Sequence, residues 1–183
     1  MSEEKDVIAP ATSEDELADM IAQADTGGRN PTGISKQILW WVPLTWALFQ
    51  LWYASPLPFI FNIGLFNSTE ARSIHLVFAV FLAFTAFPTF KTSPRDYIPV
   101  QDWIMSLIGA LAAGYIYIFF RELAERPGLP TTEDLVASVV GIIFVLEATR
   151  RALGPPLMIV AIVFLSYTFL GPYMPEIIAH KGA

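Results

Sequence analysis

Glu147-Ala148-Thr149-Arg150-Arg151-Ala152-Leu153-Gly154-Pro155-Pro156 separates two long uncharged stretches. Upstream no charge falls between Asp134 and Glu147, and downstream none falls from Ala152 to Pro175. A single helix cannot run through Gly-Pro-Pro, because proline lacks the amide hydrogen and its ring clashes with the preceding turn. The segment therefore predicts a tight turn between two membrane-spanning helices, with Arg150 and Arg151 at the level of the lipid headgroups.

Working outward, the upstream helix starts at Thr131 or Thr132 as cap, followed by Glu133 and Asp134, and ends at Arg150 and Arg151. Acidic starts and basic ends both suit the helix dipole. The downstream helix stops at Gly171-Pro172 and Pro175. Towards the amino end, no residue from Gln37 to Thr69 is charged, but prolines divide the run. Ile38 to Ala54 reads as a first span, with Trp40-Trp41 and Trp52-Tyr53 at its two ends, as expected at two bilayer interfaces. At 1.5 Å per residue it is about 25 Å long, a slightly short crossing. Phe59 to Phe66 is too short to cross and is expected to lie in the interface or dip into the protein. The predicted spans are 38–54, 73–90, 103–120, 133–150 and 156–173, within a membrane domain over 36–175. A tail over 1–35 precedes it and a short tail over 176–183 follows. The expected fold class is all-α: a multi-pass transmembrane helical bundle of about five spans behind a disordered acidic N-terminal tail.

Composition agrees with this class. Of 183 residues, 54% are hydrophobic and the mean hydropathy is positive. The net charge of −6 belongs to the first thirty residues, where eight acids face only Lys5 and Arg29. The rest is neutral, so no basic surplus points to nucleic acid. With no cysteine, disulfide and thiolate chemistry are excluded. The acidic start does not fit a cleaved signal peptide, which leaves the first span as an uncleaved insertion signal. Within the tail, Ser13 and Glu16 form a capping-box pattern, and Leu17, Met20, Ile21 and Ala24 follow at helical spacing. A short amphipathic helix on a membrane or partner and a fraying helix in a solvated arm both fit. With the amino end cytoplasmic, inner segments carry Arg29, Lys36, Lys91, Arg95, Arg150 and Arg151, against Arg72, Arg121, Arg126 and Lys181 outside. That balance favours an inside amino terminus.

The span centres lack ionisable residues, the usual mark of an ion or substrate path. No span is broken internally in the manner of a transporter's discontinuous helices. Catalytic motifs are missing as well, with no Gly-x-Ser-x-Gly elbow, no HExxH and no phosphate loop. The chain reads as a scaffold and not as an enzyme, with no catalytic, cofactor, metal or substrate-binding residue assigned; a small channel is disfavoured on the same grounds. Stripes of small residues at Ser106, Ala110 and Gly114, at Gly109 and Ala113, and at Ala137 and Gly141 suit close helix packing, internal or against a partner. His75, beside Arg72 and one turn into the second span, suits a hydrogen bond to a neighbouring helix or a pH-sensing role. His180 beside Lys181 lies in the tail and suggests no metal. Glu147, Arg150 and Arg151 admit three roles: a snorkelling, topology-fixing cluster, an internal Glu147–Arg151 pair, or a docking point for a partner. Arg72, His75, Glu147, Arg150 and Arg151 are thus the candidate residues for orientation or partner contact.

Five stretches together resemble the small membrane component of TRAP transporters of the TAXI type. They are Asp25-Thr26-Gly27-Gly28-Arg29-Asn30-Pro31-Thr32-Gly33, Leu48-Phe49-Gln50-Leu51-Trp52-Tyr53-Ala54-Ser55-Pro56-Leu57-Pro58, Arg72-Ser73-Ile74-His75-Leu76, Leu146-Glu147-Ala148-Thr149-Arg150-Arg151, and Gly171-Pro172-Tyr173 followed by His180-Lys181-Gly182. The resemblance covers nearly all of the chain from Asp25 onward. It implies a non-catalytic subunit or domain in the uptake of organic acids or amino acids, driven by a sodium or proton gradient. Its implied partners are a large multi-span permease, which holds the substrate and ion sites, and an extracytoplasmic binding protein. The implied place is the cytoplasmic (inner) membrane of a bacterium or archaeon. The small component is usually four-span, so the fifth span corresponds to a helix joining small and large parts in fused members. The chain is then either a split subunit or a piece of a fused permease. The other role compatible with these features is a membrane assembly or scaffold protein of a different complex.

Overall fold

A computed structural model describes residues 27–90, 92–175 and 178–179. The amphipathic segment expected over 13–24, the acidic tail before Gly27 and the His180-Lys181 pair lie outside the described residues. Among the described residues there are seven α-helices and no strand. They are α1 (Gly33–Ala54), α2 (Leu57–Phe61), α3 (Ser68–Ala86), α4 (Val100–Ile118), α5 (Phe120–Glu125), α6 (Thr132–Leu153) and α7 (Pro155–Leu170), followed by a 3-10 turn at Gly171–Tyr173. The long helices α1, α3, α4, α6 and α7 run alternately up and down. One end of the bundle therefore gathers the start of α1, the end of α3, the start of α4 and the α6–α7 turn.

Local chemistry sets the boundaries, and several differ from the sequence expectation. The second long helix begins at Ser68 and not at 73, because Asn67 caps it. The Asn67 side chain accepts from the amides of Thr69 and Glu70, both at 2.9 Å, while Glu70 accepts from the Asn67 amide at 2.8 Å. This helix ends at Ala86 and not at 90, since Phe87 precedes a proline and is extended, with φ −113° and ψ 130°. Pro99 stands at the cap of α4, so that helix starts at Val100. It breaks at Phe119 before the short α5. Asn62, with φ 53°, ends α2, so the segment expected over 59–66 is helical only to Phe61.

The Gly-Pro-Pro hinge is narrower than its sequence suggests. Helix α6 continues through Arg150 and Arg151 to Leu153, beyond the expected 150. Gly154 alone turns the chain, at φ +89°, a value that side chains other than glycine's tolerate poorly. Pro155 and Pro156 then occupy the first turn of α7, where their missing amide hydrogens cost nothing. Arg150 and Arg151 thus lie in the last turn of α6, the helix that the sequence reading ends with them.

The core is small. Val80, Ala83 and Phe84 of α3, Ala113 of α4 and Ala148 of α6 are buried together, with Phe144 packed against them. Helices α3 and α4 make the most extensive contact. Ser106, Gly109, Ala110, Ala113 and Gly114 are all buried on α4. A Cβ on Gly109 would come within 2.6 Å of Phe144 and 2.7 Å of Val80, so only glycine lets α3, α4 and α6 close up there. Ala137 and Gly141 instead line an open apolar groove of about 480 Å³.

Outside this core the usual arrangement of a soluble protein is inverted. Ile104, Leu107 and Leu111 of α4 and Leu135, Val136 and Val139 of α6 are exposed, and α7 buries none of its residues. An apolar exterior of this extent calls for lipid or a partner. By length and composition two helices can cross a membrane, Ser68–Ala86 and Pro155–Tyr173. The other long helices carry residues that lower hydropathy: Lys36, Pro43 and four tryptophans in α1, Gln101 and Asp102 in α4, and five charged residues in α6.

Candidate functional site

The end of the bundle that gathers the start of α1, the end of α3 and the start of α4 is organised around one carboxylate, and is called the strap end for residues 28–32. Asp102 sits in the first turn of α4 and is 1% exposed. Its Oδ2 accepts from the Arg29 guanidinium, and its Oδ1 accepts from Arg151 at 2.9 Å and from the Thr89 hydroxyl at 3.3 Å. The Arg29 side chain is fully buried, and its remaining donors reach the carbonyls of Phe84, Thr85 and Pro94 at 3.1–3.2 Å. The Arg29 amide also donates to the Ala86 carbonyl at 2.7 Å, and the Asn30 amide to Arg95 at 3.0 Å. Residues 28–32 therefore form a strap, held under α3 and α4 by backbone and side chain together. Three buried charges in apolar surroundings are tolerated because each is paired and hydrogen-bonded.

The candidate hinge residues belong to the same network. Arg151 is turned inward, 1% exposed, with its guanidinium 4.3 Å from the Phe84 ring centre. It also donates to Glu147 at 2.7 Å, one turn earlier on the same helix face. Arg150 donates to both oxygens of Glu147 at 2.7 Å, sharing Oε1 with Arg151, and donates to the Thr89 carbonyl at 3.0 Å. Glu147 and Arg150 are about one quarter exposed, at 28% and 25%. Snorkelling therefore describes neither arginine fully, and for Arg151 it is the wrong direction. A buried acid on the facing helix offers a closer counter-charge than the lipid surface does.

His75 lies elsewhere, two turns into α3. Its Nδ1 accepts from the Trp46 indole at 2.7 Å, and Gln50 approaches the same atom at 3.3 Å. Indole is a donor only, so Nε2 carries the ring hydrogen. The Phe49 ring packs edge-on at 5.2 Å. These contacts join α1 to α3; Phe49 and Gln50 belong to the stretch 48–58 and His75 to 72–76, both of which carry the resemblance, while Trp46 precedes them. Arg72 is exposed on α3 and has no ion pair among the described residues, so the structure does not bring it into either cluster.

The opposite end has its own aspartate. Asp134 caps the start of α6 through Thr131 and accepts a two-pronged pair from Arg126 at 2.7 and 3.1 Å. The Tyr115 hydroxyl donates to it at 2.7 Å, tying the end of α4 to α6. The charge balance differs between the ends among the described residues. At the strap end Arg29, Lys36, Arg95, Arg150 and Arg151 face Asp96, Asp102 and Glu147, leaving two positive charges in excess. At the other end Arg72, Arg121 and Arg126 face Glu70, Glu122, Glu125, Glu133 and Asp134, leaving two negative.

Asp102 and the role of Arg29 are absent from the residues singled out by sequence. A signal was present: Asp102, Ser106, Ala110 and Gly114 are spaced by four, so the small-residue stripe extended one turn back points the carboxylate inward. Among the described residues every buried side-chain nitrogen and oxygen has a hydrogen-bond partner. The network is closed, with its charges committed to holding four chain segments together. Comparison of the chain with protein-family models, with curated proteins and with solved structures gives no match.

Proposed function

We propose that this chain is a small scaffold subunit or domain of a TAXI-type TRAP transporter, embedded in the cytoplasmic membrane through α1, α3, α4, α6 and α7. One observation carries the proposal: the stretches that bear the resemblance, far apart in sequence, meet in pairs in space. Residues 27–33 and 146–151 converge on Asp102 through Arg29 and Arg151, and Phe49 and Gln50 of residues 48–58 meet His75 of residues 72–76. The span lengths support it too. Helices of 19 and 22 residues measure about 28 and 33 Å, close to a hydrocarbon core of roughly 30 Å. Among the described residues the strap end carries five Lys and Arg residues against three at the other end, which favours placing it in the cytoplasm.

A closed ionic network at one end, with apolar residues facing outward between the ends, suits bracing better than conduction. Substrate and coupling-ion binding then fall to a large permease partner, and delivery to an extracytoplasmic binding protein. Uptake of an organic acid or amino acid by vesicles is the test. Vesicles holding this chain alone should show none, and a large permease and binding protein should co-purify with it and restore gradient-driven uptake. Transport by the chain alone would remove the proposal. Co-purification with an unrelated complex would favour the general scaffold role instead.

A further inference from the structure

The strap and the first two turns of α1 enclose a crook of about 420 Å³ that the ionic network does not use. Asn30 lines it from the strap, and Lys36, Gln37, Trp40 and Trp41 line it from the helix. We infer that this crook holds the headgroup of an anionic phospholipid from the leaflet at the strap end. The inference rests on the membrane embedding proposed above and not on the transport role.

Three observations carry it. Lys36 is exposed and has no ion pair among the described residues, whereas Arg29, the other cation lining the crook, is spent on Asp102 and three carbonyls. Lys36 and Trp40 are four apart, so the two residues share one helix face, their backbone positions about 6 Å apart along the axis. That is a suitable offset for a phosphate above and the glycerol ester region below. Trp40 and Trp41 are 60% and 58% exposed and meet edge to face at 4.7 Å, presenting indole surface to that depth. Finally, no acidic residue lines the crook while Lys36 does, which selects an anionic over a zwitterionic headgroup. Free phosphate would engage Lys36 but gain nothing from the indoles, so lipid is the occupant that uses the whole crook.

The full chain reconstituted in phosphatidylcholine vesicles tests this through quenching of tryptophan fluorescence by brominated lipids. Brominated phosphatidylglycerol should associate about fivefold more strongly than brominated phosphatidylcholine, the effect of one lysine near a charged lipid surface. Lys36→Gln should lose most of that preference, Lys36→Arg should keep it, and Trp40→Phe with Trp41→Phe should remove the lipid-selective part of the quenching. Circular dichroism establishes that each variant is folded. Equal association of the two lipids, or an unchanged preference in folded Lys36→Gln, overturns the inference. Reversal by inorganic phosphate, but not by sodium chloride of equal ionic strength, would make the crook a free-phosphate site and also overturn it. Absence of quenching by either lipid would instead overturn the membrane embedding on which it rests.

Discussion

At the strap end Asp102 is shared by two arginines whose side chains are almost wholly buried, whereas at the opposite end Asp134 holds one arginine that is 27% exposed. Both carboxylates sit in the first turn of a helix, and both tie neighbouring segments together. They differ in what surrounds them. Asp134 also caps its own helix, so part of its work is local and water or headgroups can replace Arg126. Asp102 makes no cap; its partners come from residues 73 positions before and 49 after it in the chain. The first arrangement defines a turn, and the second defines the tertiary fold. Lipid or water can repair the first when it is damaged, but neither reaches the second.

Breaking each end in turn tests this contrast. Asp102→Asn leaves Arg29 and Arg151 buried without a full counter-charge, and should cost about 3–5 kcal/mol of unfolding free energy. Detergent titration in bicelles measures it, and Asp134→Asn should lose clearly less; equal losses would end the distinction. Within the strap end, Arg151→Gln should cost on the order of 3 kcal/mol, while Arg150→Gln, one residue away but partly exposed, should cost less than about 1 kcal/mol. The same titration reads both, and a reversed order would show that burial does not rank these arginines. Trp46→Phe removes the bond to His75 midway between the ends and should cost roughly 0.6–1.7 kcal/mol. Combined with Asp102→Asn it should be additive to within about 0.5 kcal/mol, because the sites share no partner. The smallest effect is expected from salt. Raising it to about 1 M shortens the screening length to about 3 Å, and should weaken the exposed Arg126 pair while leaving the buried Arg29–Asp102–Arg151 network nearly unchanged. Comparing the melting of Arg126→Gln and Arg29→Gln against the unaltered chain at low and high salt would show it.

Much of the helical layout is legible along the chain because its causes are local. The uncharged stretches, the proline breaks and the Thr131-to-Asp134 start need only residues a few positions apart. Even the misplaced start at 73 has a local cause, since Asn67 and Glu70 already spell a capping box. The hinge is harder. Glu147 and Arg151 are readable as one helix face, but the inward turn of Arg151 depends on an acid 49 positions away. Arg29 looks like part of an acidic tail until Asp102 and the carbonyls of α3 claim it. The small-residue stripe on α4 is legible as a packing face, though not which helix fills it; Val80 and Phe144 answer that only in three dimensions.

By itself the sequence determined the helical class, the alternation of apolar segments with proline-broken turns, and the break at Gly154-Pro155-Pro156. Each follows from backbone chemistry and hydropathy within one or two turns. Only the tertiary structure decided which charges face inward. A buried ion pair is stable only when its partner, its remaining hydrogen bonds and its apolar cover arrive together, and here Arg29, Thr89, Asp102 and Arg151 come from four separate segments of the chain.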